Sequence, residues 1–231
     1  MTAPDLALVR AIRDTLAATG DPERAVAQQR YMKSRMPYRG ITSPELTALL
    51  RPLLADHAPA SRAVWEATVR TLWDEATHRE ERYAALALAK HRSARAWRDP
   101  DLVPLIEHLV VTGAWWDLVD DAAVHLAGAV LPLHPEEMTP VVRGWATGGD
   151  LWLRRTAVIC QLGRRAATDR DLLRYAIESN VDDSSFWLRK AIGWALRDLA
   201  RTDPDWVRAE VARLDGRISS LSRREALKHL S

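Results

Sequence analysis

Trp115-Trp116-Asp117-Leu118-Val119-Asp120 is followed at a fixed interval by Trp152-Leu153-Arg154-Arg155 and Trp187-Leu188-Arg189-Lys190, with a weaker echo in Leu221-Ser222-Arg223-Arg224. Stepping 35 residues from Asp120 reaches Arg155, 35 more reach Lys190, and 34 more reach Arg224. A charged residue that recurs at a near-constant interval is the mark of stacked structural repeats, and about 35 residues is the length of one helix pair. The first copy follows a break at Thr112-Gly113 and runs on through Ala122, Ala123, Leu126 and Val130. It therefore sits in the opening turns of a helix, with Trp116 and Asp120 four residues apart on one face. If equivalent positions line one surface, a concave face carries Asp120, Arg155, Lys190 and Arg224 in order.

The flanking sequence has the same period. Helix starts, each a capping or turn residue before proline, stand at Asp21-Pro22, Ser43-Pro44, Asp99-Pro100, His134-Pro135 and Asp203-Pro204. Proline suits the first helical position because its missing N–H would be unpaired there anyway. Pro100 to Pro135 is again 35 residues, so both helices of each pair repeat together. Apolar residues fall at helical spacing, as in Leu102, Leu105, Ile106, Leu109 and Val110, and no segment alternates with period two. The pattern predicts helices over 4–19, 22–36, 44–56, 60–75, 78–97, 100–111, 114–131, 135–146, 150–165, 169–179, 184–201, 204–214 and 221–230. The expected fold is all-α, with right-handed-stacked helix pairs forming a curved HEAT-like or armadillo-like solenoid. It is read as a single domain, 1–231, in which residues up to about 57 fit the period poorly and cap the repeats of 58–231.

Composition narrows the function classes. The 231 residues carry 33 Lys and Arg against 31 Asp and Glu, a net charge of +2 that leaves a nucleic-acid partner open without requiring one. Cys160, the single cysteine, lies in an apolar helical stretch and reads as a buried structural thiol. The N-terminus shows no basic region followed by an apolar run, and no apolar stretch is long enough to span a bilayer. The expected location is the cytoplasm, with no membrane association. The histidines show no ligand spacing, and no Gly-rich phosphate loop or nucleophile elbow is present. The expectation is a metal-independent function that needs no cofactor.

Three groups of residues carry chemistry. Asp120 is either a catalytic carboxylate or an exposed residue near a helix start, a role that Asp117 fits better. Of ten tryptophans, Trp65 and Trp73 read as core, whereas Trp116, Trp152, Trp187 and Trp194 fall within a turn of the repeated charged positions. These either pack between repeats or face a flat cationic ligand or stacked bases. Arg155, Lys190, Arg223 and Arg224 form either a phosphate track or a solvated face of ordinary salt bridges. Their regular spacing favours the track.

Tyr31-Met-Lys33-Ser, Pro37-Tyr-Arg-Gly-Ile41, Thr112-Gly-Ala-Trp-Trp-Asp-Leu-Val-Asp120, Trp152-Leu-Arg-Arg155, Lys190-Ala-Ile-Gly-Trp194-Ala-Leu-Arg197 and Leu221-Ser-Arg-Arg-Glu-Ala-Leu-Lys228 together resemble the DNA alkylation repair family of the AlkD type. The resemblance runs from about Tyr31 to the end. It implies a HEAT-like-repeat DNA glycosylase that removes cationic N3- and N7-alkylated purines from duplex DNA in base excision repair, without flipping the base. It implies Asp120 as the catalytic carboxylate, flanked by Trp116 and Trp194. It places Arg155, Tyr31 and Trp187 against the duplex, and the matched strings add Lys33, Lys190, Arg197, Arg223 and Arg224 as DNA-binding residues. The expected partner of a monomeric protein is double-stranded DNA with alkylated bases. Two other readings stand beside this one: a non-catalytic DNA-binding relative on the same scaffold, and a peptide-binding repeat adaptor.

Overall fold

The computed structural model describes residues 2–55 and 57–230. The fold is all-α, and no strand occurs among the described residues. The chain divides into two compact units, one ending at Trp97 and the other beginning at Arg98.

The first unit holds α1 (Leu6–Ala18), α2 (Pro22–Met32), α3 (Ser43–Ala55), α4 (Arg62–Asp74) and α5 (Arg79–Ala89). Ile12, Leu16, Val69, Leu72, Trp73 and Leu88 fill its core, and buried Trp65 donates its indole N–H to the Leu88 carbonyl. The Asp21 side chain caps α2 ahead of Pro22. At Ser43-Pro44 the cap lies one residue earlier than the sequence predicts. Thr42 and Glu45 form a reciprocal capping box, which satisfies two backbone N–H groups at once. The loop after α2 is fixed from below by Glu80, a fully buried carboxylate that accepts the backbone N–H groups of Arg39, Gly40 and Ile41. Gly40 has φ +85° and lies against the Asp21 carbonyl, where no side chain fits.

The second unit holds α6 (Val103–Gly113), α7 (Trp116–Ala122), a π-helical turn (Ala123–Ala127) running into α8 (Gly128–Val130), α9 (Pro135–Thr147), α10 (Leu151–Ile159), α11 (Arg170–Glu178), α12 (Phe186–Ala200), α13 (Pro204–Arg213) and α14 (Ser220–Ala226). Here the period becomes geometry. α10 packs against α7 and the π turn as well as against α12, and α12 packs against α14. Side-chain caps start these helices: Asp150 for α10, Asp169 for α11, Ser185 for α12 and Asp203 for α13. Hydrogen-bonded pairs join residues about one repeat apart, including Arg155 with Asp120, Lys190 with Glu225 and Arg174 with Glu210.

Several predicted helices are shorter than their apolar pattern. α2 stops at Met32 because Lys33 turns left-handed, at φ 50°, and Gln29 and Ser34 bond each other across the turn. α5 stops at Ala89, where the His91 ring takes the Ser93 N–H, and 3-10 turns continue over Arg92–Trp97. α10 stops at Ile159, and the following turn ends on Gly163, whose N–H bonds the Asp198 carboxylate. The helix predicted over 114–131 is interrupted by the π turn. Cys160 is buried as expected, and burial pushes its thiol up to about 12. No helix among the described residues is long and apolar enough to cross a membrane.

Candidate functional site

Asp120 lies in the middle of α7, with Leu118, Val119 and Ala122 turned into the core around it. Its carboxylate receives two hydrogen bonds from Arg155 on α10, Nε to Oδ1 and Nη2 to Oδ2, each 2.7 Å. This two-point geometry matches the planar fork of a guanidinium to the plane of a carboxylate. Arg155 also donates Nη1 to the Trp187 carbonyl at the start of α12, at 2.6 Å. One side chain thus ties three successive repeats together. Its side chain is 1% exposed, while that of Asp120 keeps a 20% exposed edge. Burial lifts the Asp120 carboxyl above its ordinary range; the hydrogen bonds and charge of Arg155 oppose the rise, and Asp117 adds to it.

Trp194, on α12, stands beside this pair. The Arg155 guanidinium lies 5.4 Å from its ring centroid and the Lys190 ammonium 5.6 Å. The indole is therefore already flanked by two cations of the protein itself. Lys190 in turn gives its ammonium to Glu225 on α14 at 2.7 Å, and Arg197 gives Nη1 to the other oxygen of the same carboxylate at 2.7 Å. Asp120, Arg155, Trp194, Lys190, Glu225 and Arg197 thus make one continuous set.

The remaining predicted site residues divide. Trp116 opens α7 one turn before Asp120 and is half-buried. Trp187 belongs to an aromatic cluster with Trp115 at 5.2 Å, Trp152 at 5.6 Å and Phe186 at 5.2 Å between ring centroids. Arg223 pairs with Asp215. Arg224 is exposed and makes no ion pair among the described residues. Tyr31 and Lys33 belong to the first unit, at the end of α2, where Tyr31 is 79% exposed. No group of residues suited to holding a metal ion occurs among the described residues.

Sequence reasoning missed Glu225 and Phe186. Glu225 had a signal: 35 residues beyond Lys190 is Glu225, and only a step shortened to 34 lands on Arg224. Phe186, the single phenylalanine, is 53% exposed, and nothing in its spacing marks it. The π turn one turn after Asp120 was equally silent in the apolar pattern, although such turns gather at functional sites.

The sequence model of a family described as DNA alkylation repair enzyme matches residues 12–230. A solved structure of a predicted DNA alkylation repair enzyme from Enterococcus faecalis superposes with a TM-score of 0.83 at 30% sequence identity, covering 92% of this chain and 97% of that chain. No curated protein matches.

Proposed function

The chain belongs to the DNA alkylation repair enzyme family, and from that premise we propose that it is a DNA glycosylase acting on cationic N3- and N7-alkylated purines in duplex DNA. The observation that carries this reading is Asp120, a carboxylate locked by two guanidinium hydrogen bonds yet keeping a 20% exposed edge. Arg155 takes one lone pair from each carboxylate oxygen, and each oxygen retains a second. Asp120 is thus oriented and keeps lone pairs able to accept a proton.

Alkylation at N3 or N7 makes the purine a cation, and its C1′–N bond breaks with the bonding pair leaving on the base. The base departs neutral, and positive charge develops on the sugar. Asp120 opposes that charge at its exposed edge, and water adds through oxygen to C1′ as its proton passes to the carboxylate and on to solvent. Arg155 acts as the positioning residue that sets the carboxylate plane. Trp116 lies one helical turn away, and the Trp194 ring meets the Arg155 and Lys190 cations. Tyr31, Lys33, Trp187, Lys190, Arg197, Arg223 and Arg224 are proposed to meet the duplex. A reaction that uses only the sugar edge needs no base flipping.

The test is release of base from methylated duplex DNA by the wild type and by Asp120→Asn. Loss of a transition-state stabiliser of this kind lowers the rate about 10²–10³-fold. Equal rates would remove the catalytic assignment. One feature favours a second reading, a non-catalytic DNA-binding relative: Arg155 already balances the charge of Asp120. A wild type that binds duplex DNA and releases no base would establish it.

A further inference from the structure

The Glu225 carboxylate is placed like a bound phosphate. Its two oxygens each meet a different cation of α12, Lys190 and Arg197, both at 2.7 Å. These cations stand seven residues apart, two turns along one helix face. Gly193, between them on that face, makes the arrangement possible. A Cβ at that position would lie 2.5 Å from the Glu225 Cβ and 3.0 Å from the Ser222 carbonyl oxygen, so α14 approaches α12 closely only because Gly193 lacks one. The side chains of Lys190 and Arg197 remain 26% and 25% exposed, against 13% for Glu225. An anion arriving from solvent can reach both cations. Arg155 is arranged differently: it is 1% exposed, so its carboxylate partner is not open to exchange.

We propose that Glu225 is a built-in place-holder, occupying in the free protein a two-cation phosphate site formed by Lys190 and Arg197 and giving that site up to a backbone phosphate of duplex DNA. The consequence is a charge rule. The three side chains together carry one net positive charge, whereas two cations without the carboxylate carry two. Glu225 therefore weakens non-specific binding and keeps the two cations spread in a phosphate-accepting geometry while no DNA is present. This inference rests on the reading that α12 faces DNA, and not on any particular chemistry at Asp120.

The test is binding to an undamaged duplex, followed by fluorescence anisotropy over a range of salt concentrations. Each cation released to a phosphate steepens the plot of log K against log salt by about 0.9. Glu225→Gln should bind more tightly at low salt with an unchanged slope, because both cations already meet phosphate in the wild-type complex. Lys190→Gln should be shallower by about 0.9, and the double variant Lys190→Gln/Glu225→Gln should keep that shallower slope while binding more tightly than Lys190→Gln. In the wild type the Glu225 carboxyl ¹³C resonance should shift when undamaged duplex is added, a readout that requires no variant to fold. A folded Glu225→Gln that binds no more tightly than the wild type, or that binds with a steeper slope, would overturn the proposal, as would an unmoved resonance. If the wild type binds DNA and releases alkylated bases while Glu225→Gln changes nothing, only the place-holder fails. If the wild type does not bind duplex at low salt, the glycosylase reading fails with it.

Discussion

The Asp120–Arg155 pair admits a quantitative test. Its contacts are 2.7 Å, the Arg155 side chain is 1% exposed and that of Asp120 20%. Unit charges about 4 Å apart attract by about 4 kcal/mol at an effective dielectric constant of about 20. Desolvation of both groups takes back much of that, so the intact pair adds little net stability, but removing one partner strands the other. The stranded group costs about 3–5 kcal/mol. Asp120→Asn leaves the arginine, with almost no solvent, one amide oxygen and the Trp187 carbonyl. Arg155→Met leaves a carboxylate that water reaches at one edge and that can neutralise itself by taking a proton. The first replacement should therefore cost more than the second. The double variant strands neither charge and should recover about 3 kcal/mol relative to the sum of the singles. Urea unfolding followed by far-ultraviolet circular dichroism and by tryptophan fluorescence measures the cycle. It should be repeated at low and high salt, because a buried pair is screened little. A coupling below about 1 kcal/mol, the range of exposed pairs, would refute the reasoning. So would a coupling that fades with salt. If Arg155 instead served chiefly to grip phosphate, Arg155→Met would leave stability intact and make DNA binding less salt-dependent by about one cation.

Four further outcomes are expected. Because burial raises the Asp120 carboxyl above the ordinary carboxylate range, the acid limb of base release should lie above that range and be absent from whatever activity Asp120→Asn retains. For stability the sign is the reverse: a raised carboxyl favours the folded state at low pH, and that contribution is lost as pH rises through the folded value, which pH-dependent unfolding of the wild type and Asp120→Asn would reveal. Gly193→Ala should destabilise the second unit by about 1–3 kcal/mol, because its Cβ meets Glu225 and the Ser222 carbonyl; a neutral effect on thermal unfolding would show that α12 and α14 are looser than the structure implies. Defined duplexes should lose cationic N3- and N7-alkylpurines, bulky ones included, and keep neutral uracil and hypoxanthine. Rapid uracil release, detected by alkaline cleavage at abasic sites, would show that an acid protonates the leaving base.

The helices and their period were legible because both depend on local interactions. Asp21-Pro22 and Asp203-Pro204 start helices through a side chain that reaches three residues along its own chain. The apolar spacing of Leu105, Ile106, Leu109 and Val110 names the face of α6 that turns inward, and all four are fully buried. The interval from Asp120 to Arg155 also appeared correctly, since stacked repeats put equivalent residues side by side. What those residues do to one another was not in the interval. An Asp and an Arg one repeat apart are equally consistent with two ligands of a DNA backbone and with an ion pair. Only the packing of α7 on α10 brings them to 2.7 Å and leaves Arg155 1% exposed. The same holds at the other end of the set. Arg224 and Glu225 are neighbours in sequence, yet one faces solvent and the other holds two cations of α12, because one residue turns a helix face by about 100°. Local sequence determines where a helix begins and which stripe is apolar. Which charges meet depends on the distance and rotation between helices, and those are set jointly by every side chain in the interface, including one that is missing at Gly193.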